Sequence, residues 1–153
     1  IQFDGDGQHR ADQIDKIVVQ VEAGTADLVI GTRTLPEGYK CGISRKIGSM
    51  IFCLLIRILT GKRVADPTSG FRCYGSNAIR LFCLDYPDDY PEVESIITAS
   101  RNGLKIVEAP VLMRQRHSGH SSINRRKSAY YMLKVTLAML IDAMRGKIAW
   151  REG

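Results

Sequence analysis

A short apolar run within Asp27-Leu-Val-Ile-Gly31 sits directly behind a helical pattern, and that order constrains the chain more than any other feature. From Ala11 to Ala23 the apolar residues Ile14, Ile17, Val18 and Val21 recur at helical spacing, and Gly24 stops the pattern. A short, continuous apolar run bounded by glycine suits a strand buried on both faces of a parallel sheet. Ahead of the helix lies a second short run, Ile1-Gln2-Phe3. Strand, helix, strand in this order predicts an α/β layered domain with a right-handed crossover.

The first run ends in chemistry. It is followed by Asp4-Gly5-Asp6-Gly7-Gln8-His9. Alternate side chains of an extended or turning segment share a side, so Asp4, Asp6 and Gln8 present two carboxylates and an amide oxygen to one ligand. Hard oxygens in that pattern suit Mg2+ or Mn2+ holding a phosphate. A strand of three residues has no sheet of its own, so the expectation is that further sequence normally precedes it.

The remaining pattern predicts helices from Ser44, as cap, to about Leu59, from Ser76, also as cap, to about Leu84, and from Pro91 or Glu92 to Asn102-Gly103. Strands are expected at Phe71–Tyr74 and, on either side of Pro110, at Lys105–Glu108 and Val111–Arg114. A loop over Arg116–Arg126 leads into a long helix, Lys127–Arg145, with wide apolar coverage. The apolar stretch Met50–Leu59 is too short to span a bilayer, which needs ~20 apolar residues. The four cysteines form no Cys-x-x-Cys pair and read as buried free thiols of a reducing compartment.

Charge is distributed unevenly. Residues 1–100 hold eleven Lys and Arg against thirteen Asp and Glu, a net −2; residues 101–153 hold eleven against three, a net +8. The last third therefore expects an anionic partner: a nucleotide, a lipid phosphate, a membrane surface or nucleic acid. It lacks the interleaved aromatics of single-strand nucleic-acid binding, so nucleic acid is disfavoured.

Several residues fall where phosphate chemistry would use them. Arg33 ends the Asp27–Gly31 strand, and ligands of open α/β sheets bind beyond the carboxyl ends of strands. Arg45 stands near a helix N-terminus, where guanidinium and macrodipole both favour an anion. Asp66-Pro-Thr-Ser-Gly-Phe-Arg72 is a rigid turn that carries one carboxylate, suited either to turn initiation or to a positioned base. Glu92 and Glu94 open a helix, where capping competes with a catalytic role. Arg114-Gln-Arg116-His-Ser-Gly119-His-Ser121-Ser122 joins cations, hydroxyls and a flexible glycine as a phosphate-closing loop would. His117 and His120 have no nearby carboxylate to complete a metal set.

Taken in order, Phe3–His9, Val29–Arg33, Ser44-Arg45, Leu59–Gly61, Asp66–Arg72, Glu94 and Arg116–Ser122 resemble the family-2 inverting glycosyltransferases, and more closely the dolichyl- or polyprenyl-phosphate sugar transferase branch. The resemblance implies a GT-A fold, a Rossmann-like α/β sandwich, with a catalytic domain over residues 1–126 that lacks its nucleotide-binding N-terminal part. Residues 127–153 would form an amphipathic helix and basic tail. It implies Mg2+ or Mn2+ on Asp4, Asp6 and Gln8. Arg33, Arg45, Arg116 and Ser121 would contact donor or acceptor phosphates, and Asp66 or Glu94 would act as base. The donor would be a nucleotide-sugar and the acceptor a polyprenyl phosphate or glycan. The protein would be a homo-oligomer in the cytoplasm at the inner face of the cell membrane, attached to the surface or to a membrane-protein partner. One departure is Ser122, where many polyprenyl-phosphate enzymes carry Lys. A metal-dependent nucleotidyltransferase and a non-catalytic module for anionic lipid are the alternatives. The 153-residue chain alone is expected to be inactive.

Overall fold

A computed structural model describes residues 1–5, 7–34, 43–87, 89–114 and 125–149. Its centre is β1, Leu28–Thr34, which contains the apolar run Leu28–Ile30 and extends past Gly31. On one side β1 pairs antiparallel with β2, Arg72–Tyr74; on the other it pairs parallel with β3, Ile106–Leu112. The register sets Leu28 opposite Ile106 and Thr34 opposite Leu112. Gln2 bridges antiparallel to Arg72, so the expected opening strand is present as a single bridge running beside β2.

Helices cover both faces. A 3-10 turn at Ala11–Gln13 leads into α1, Ile14–Glu22. Ile17 of α1 packs with Val29, Phe71, Val111 and Met113. The opposite face carries α2 (Ile43–Thr60), α3 (Ser76–Leu84), α4 (Pro91–Arg101) and α5 (Arg125–Met144). Leu28 and Ile30 point into that second layer, with Phe52, Ile56, Leu81, Ile96, Val135 and Met139. Alternation of Leu28, Val29 and Ile30 between two apolar layers is the two-residue period of a strand buried on both faces.

Three expectations change. Pro110 does not divide two strands: β3 runs through it, with Pro110 opposite Thr32. Among the described residues β3 is an edge with one strand partner, where a missing N–H forfeits no ladder bond. Neither predicted serine cap stands ahead of its helix. α2 already starts at Ile43, and α3 is preceded by Gly75 as its cap residue. A side chain at Gly75 would press on Val21 and on the backbone of Asp27. The C-terminal helix begins at Arg125, two residues earlier than expected, and apolar side chains lie on more than one of its sides, so it is not divided into an apolar and a polar half. Of the cysteines, Cys73 is buried, Cys53 half-buried and Cys83 exposed; Cys41 lies outside the described residues.

Candidate functional site

The carboxyl end of β1 meets the turn that precedes β2. Gly31 makes this approach possible: a Cβ there would stand 3.0 Å from Val111 and 3.1 Å from Phe71. Its N–H donates to the Phe71 carbonyl at 2.8 Å, and its own carbonyl accepts from the Ser69 hydroxyl at 2.6 Å. The Asp66–Gly70 turn is thereby fixed against the strand end.

Two of the predicted site residues meet there. Arg33 donates through Nε to Asp66 Oδ2 and through Nη2 to Asp66 Oδ1, both at 2.6 Å. Its backbone N–H reaches Asp66 Oδ2 at 3.2 Å, and Nη2 also reaches the Thr68 hydroxyl at 2.8 Å. This is a bidentate fork, the most directional ion pair available to a carboxylate. The Asp66 side chain is 9% exposed and that of Arg33 33%. Behind the pair, Glu108 of β3 accepts from the Ala65 and Asp66 N–H groups and from the Thr32 hydroxyl.

Asp4 is brought to the same turn. Its Oδ2 would lie 2.6 Å from a Cβ on Gly70, so the carboxylate seats directly on the glycine's bare Cα. The side chain remains 52% exposed and thus open to a ligand. His9 supports it from within. The buried ring accepts the Asp4 N–H at Nδ1 (3.0 Å), which leaves the proton on Nε2, 3.7 Å from Asp4 Oδ2. It stacks on Phe71 at 4.9 Å and receives the edge of Phe3.

Arg72 anchors the turn from the opposite side. It is fully buried. Its guanidinium donates to the carbonyls of Pro67, Ser69 and Glu92 and to the Ser95 hydroxyl at 2.6–3.0 Å. Burial lowers its pKa, partly offset by Tyr74 and Glu92. Carbonyl dipoles hold this cation, and they tie the turn to the start of α4.

Glu94 stands elsewhere. Ser95 faces Arg72, whereas Glu94 shares a helix face with Thr98 and Arg101, which bond to Asp142 of α5. Burial first, then the negative charges of Asp142 and Asp89, raise the Glu94 carboxyl. Its Oε1 is buried with no hydrogen-bond partner. Asp6, Arg116 and Ser121 lie outside the described residues, as does the side chain of Arg45. Gln8 is described: its carbonyl accepts the Arg114 N–H. No group of three metal-binding side chains is found among the described residues. The half-exposed Asp4 fits one hard-oxygen position of a cation site and does not complete it.

Sequence reasoning passed over His9, Gly70, Arg72 and Glu108. The first three stand inside the strings Asp4–His9 and Asp66–Arg72, so proximity was the available signal. Glu108, within a strand pattern, had none.

No protein-family model matches the chain. Curated proteins do. An undecaprenyl-phosphate mannosyltransferase of Micrococcus luteus is 33% identical over 129 residues, covering 81% of this chain and 52% of that protein. A UDP-N-acetylglucosamine–dolichyl-phosphate N-acetylglucosaminyltransferase of Methanococcus voltae is 29% identical over 115 residues, 72% of this chain and 46% of its own length. A polyprenol monophosphomannose synthase of Mycolicibacterium smegmatis is 26% identical over 156 residues, 97% and 58% respectively. The chain thus spans about half the length of the curated relatives it matches.

Proposed function

This chain is a homologue of the family-2 glycosyltransferases, and from that premise we propose that the protein carrying it transfers a sugar from a nucleotide-sugar to a polyprenyl phosphate, with inversion, at a membrane surface. The mixed α/β architecture is compatible with the glycosyltransferase fold, and we assign it the GT-A arrangement. The observation that carries the reading is the meeting of Asp4 with the Asp66–Gly70 turn beyond the carboxyl end of β1. The relatives named as acting on undecaprenyl and dolichyl phosphates supply the acceptor class.

In this reading an acceptor phosphate oxygen attacks the anomeric carbon from the face opposite the leaving group. The new C–O bond forms as the bond to the nucleoside diphosphate breaks, and the electron pair leaves with the diphosphate. A phosphate oxygen is already anionic, so no proton need be removed. Asp66 then acts by holding Arg33. The bidentate pair fixes the guanidinium where phosphate charge arrives, and this preorganisation is the main protein contribution to such a step. Asp4, with Asp6 and Gln8, would hold Mg2+ or Mn2+, which neutralises charge on the departing diphosphate. His9 and Gly70 set the position of Asp4.

The test is transfer of radiolabelled sugar from nucleotide-sugar into polyprenyl phosphate, with and without EDTA. Mn2+-restored transfer is expected. Transfer unaffected by EDTA sinks the metal role, and pyrophosphate release in place of sugar transfer would favour a nucleotidyltransferase.

A further inference from the structure

The backbone that carries Asp66 has few ways to satisfy itself. Pro67 follows it and brings no N–H. The turn closes through the Ser69 N–H on the Asp66 carbonyl at 3.3 Å. The two N–H groups that enter the turn, those of Ala65 and Asp66, both point to one side chain. Glu108 Oε1 accepts them at 2.9 and 3.1 Å, and Oε2 lies 2.9 Å from the Ala65 nitrogen as well. The same Oε1 accepts the Thr32 hydroxyl at 3.0 Å. The Ala65–Asp66 peptide is held at its other end too, where the Ala65 carbonyl accepts from the Cys53 thiol at 3.6 Å.

The sheet places this carboxylate across from the fork. Glu108 stands opposite Ile30 in the register. Alternation along β1 sends Ile30 and Thr32 to the face that α2 covers, and Val29 and Arg33 to the face that α1 covers. Asp66 is therefore gripped from both sides of the strand end: its N–H by Glu108 on one, its carboxylate by Arg33 on the other. An amide is a poor substitute for Glu108. One oxygen here takes three donors, and a glutamine would turn its NH2 toward N–H groups that need an acceptor.

We propose that Glu108 is a positioning residue for the reaction: by holding the Ala65 and Asp66 N–H groups it sets the Asp66 carboxylate, and through it the Arg33 guanidinium, where phosphate charge arrives. The proposal deepens the sugar-transfer reading and rests on it for the phosphate. The control of Arg33 by Glu108 does not rest on it.

Two measurements on the full-length protein that carries this chain test it. In sugar transfer, Glu108→Gln lowers kcat ~tenfold with the nucleotide-sugar KM within ~threefold of wild type. Once Asp66→Asn has already released Arg33, the same change costs less than ~twofold more. In arginine labelling with phenylglyoxal, read by peptide mass, Glu108→Gln labels Arg33 several-fold faster and leaves the buried Arg72 as slow as in wild type. Thr32→Val removes one donor to the same oxygen and suits a strand. It raises Arg33 labelling by a smaller factor and decides the matter should Glu108→Gln misfold. Arg33 labelling that stays at the wild-type rate in the folded variant overturns the proposal. So does Arg72 labelled alongside Arg33, the mark of a turn merely loosened, or a ~tenfold loss added in full on top of Asp66→Asn. A wild type that transfers no sugar sinks the sugar-transfer reading, and the labelling then decides the control of Arg33 by itself.

Discussion

Asp66 and Glu94 are both acceptor-side candidates from sequence, and the fold treats them in opposite ways. Asp66, at the end of β1, receives three N–H groups from Arg33 and sits on a turn whose backbone is held by Glu108 and Arg72. Glu94, between α4 and α5, keeps a buried oxygen without a partner and faces the negative charge of Asp142. A carboxylate spent on a fork positions a cation; one buried beside another acid strains a packing contact. The pair separates two meanings of a buried acid that the sequence alone leaves together.

Arg72 links the two regions, bonding to the turn through Pro67 and Ser69 and to α4 through Glu92 and Ser95. Arg72→Met should cause the largest loss of stability, ~3–5 kcal/mol in urea unfolding, because it strands three buried carbonyls. A loss under ~1 kcal/mol would mean that the turn and α4 are held independently. Gly70→Ala comes next. Its Cβ would occupy the seat of the Asp4 carboxylate, so sugar transfer should fall ~tenfold or more while the unfolding midpoint hardly moves. Unchanged transfer would separate Asp4 from the Asp66 turn.

Glu94→Gln has the smallest expected effect, and it is on stability. The raised carboxyl means that the folded protein binds this proton more tightly than the unfolded chain does. Stability from this group is therefore full at acid pH and is lost as pH rises from the ordinary carboxylate range through the raised value. The variant should melt ~1–2 °C above wild type at pH 7 and equal to it in acid. A variant that melts below wild type at pH 7 contradicts that sign.

The layered α/β organisation was legible because Leu28–Ile30 and the α1 stripe each carry their own period. Pro110 misled because its effect depends on whether β3 has strands on both sides, a tertiary fact. Ser76 misled because Gly75 is demanded by Val21 and Asp27, which lie distant in sequence. Asp4, Arg33 and Asp66 were identified as polar residues at strand ends and turns. That Arg33 and Asp66 answer each other across 33 residues was not legible, nor was the seat of Asp4 on Gly70, since neither leaves a spacing signal. Tyr130 and Tyr131 of α5 are both exposed, and Tyr131 makes an edge-to-face contact with Tyr90, the residue before α4.

The most direct test is transfer of labelled sugar from nucleotide-sugar to polyprenyl phosphate by the full-length protein that carries this chain, as wild type, Asp66→Asn and Glu94→Gln, measured side by side. Asp66→Asn should lose ~100-fold or more, because an amide cannot complete the charged fork that holds Arg33. Glu94→Gln should stay within ~threefold. The reverse pattern, ~100-fold lost at Glu94 and little at Asp66, would contradict the assignment and move the acceptor-side acid to the α4–α5 contact.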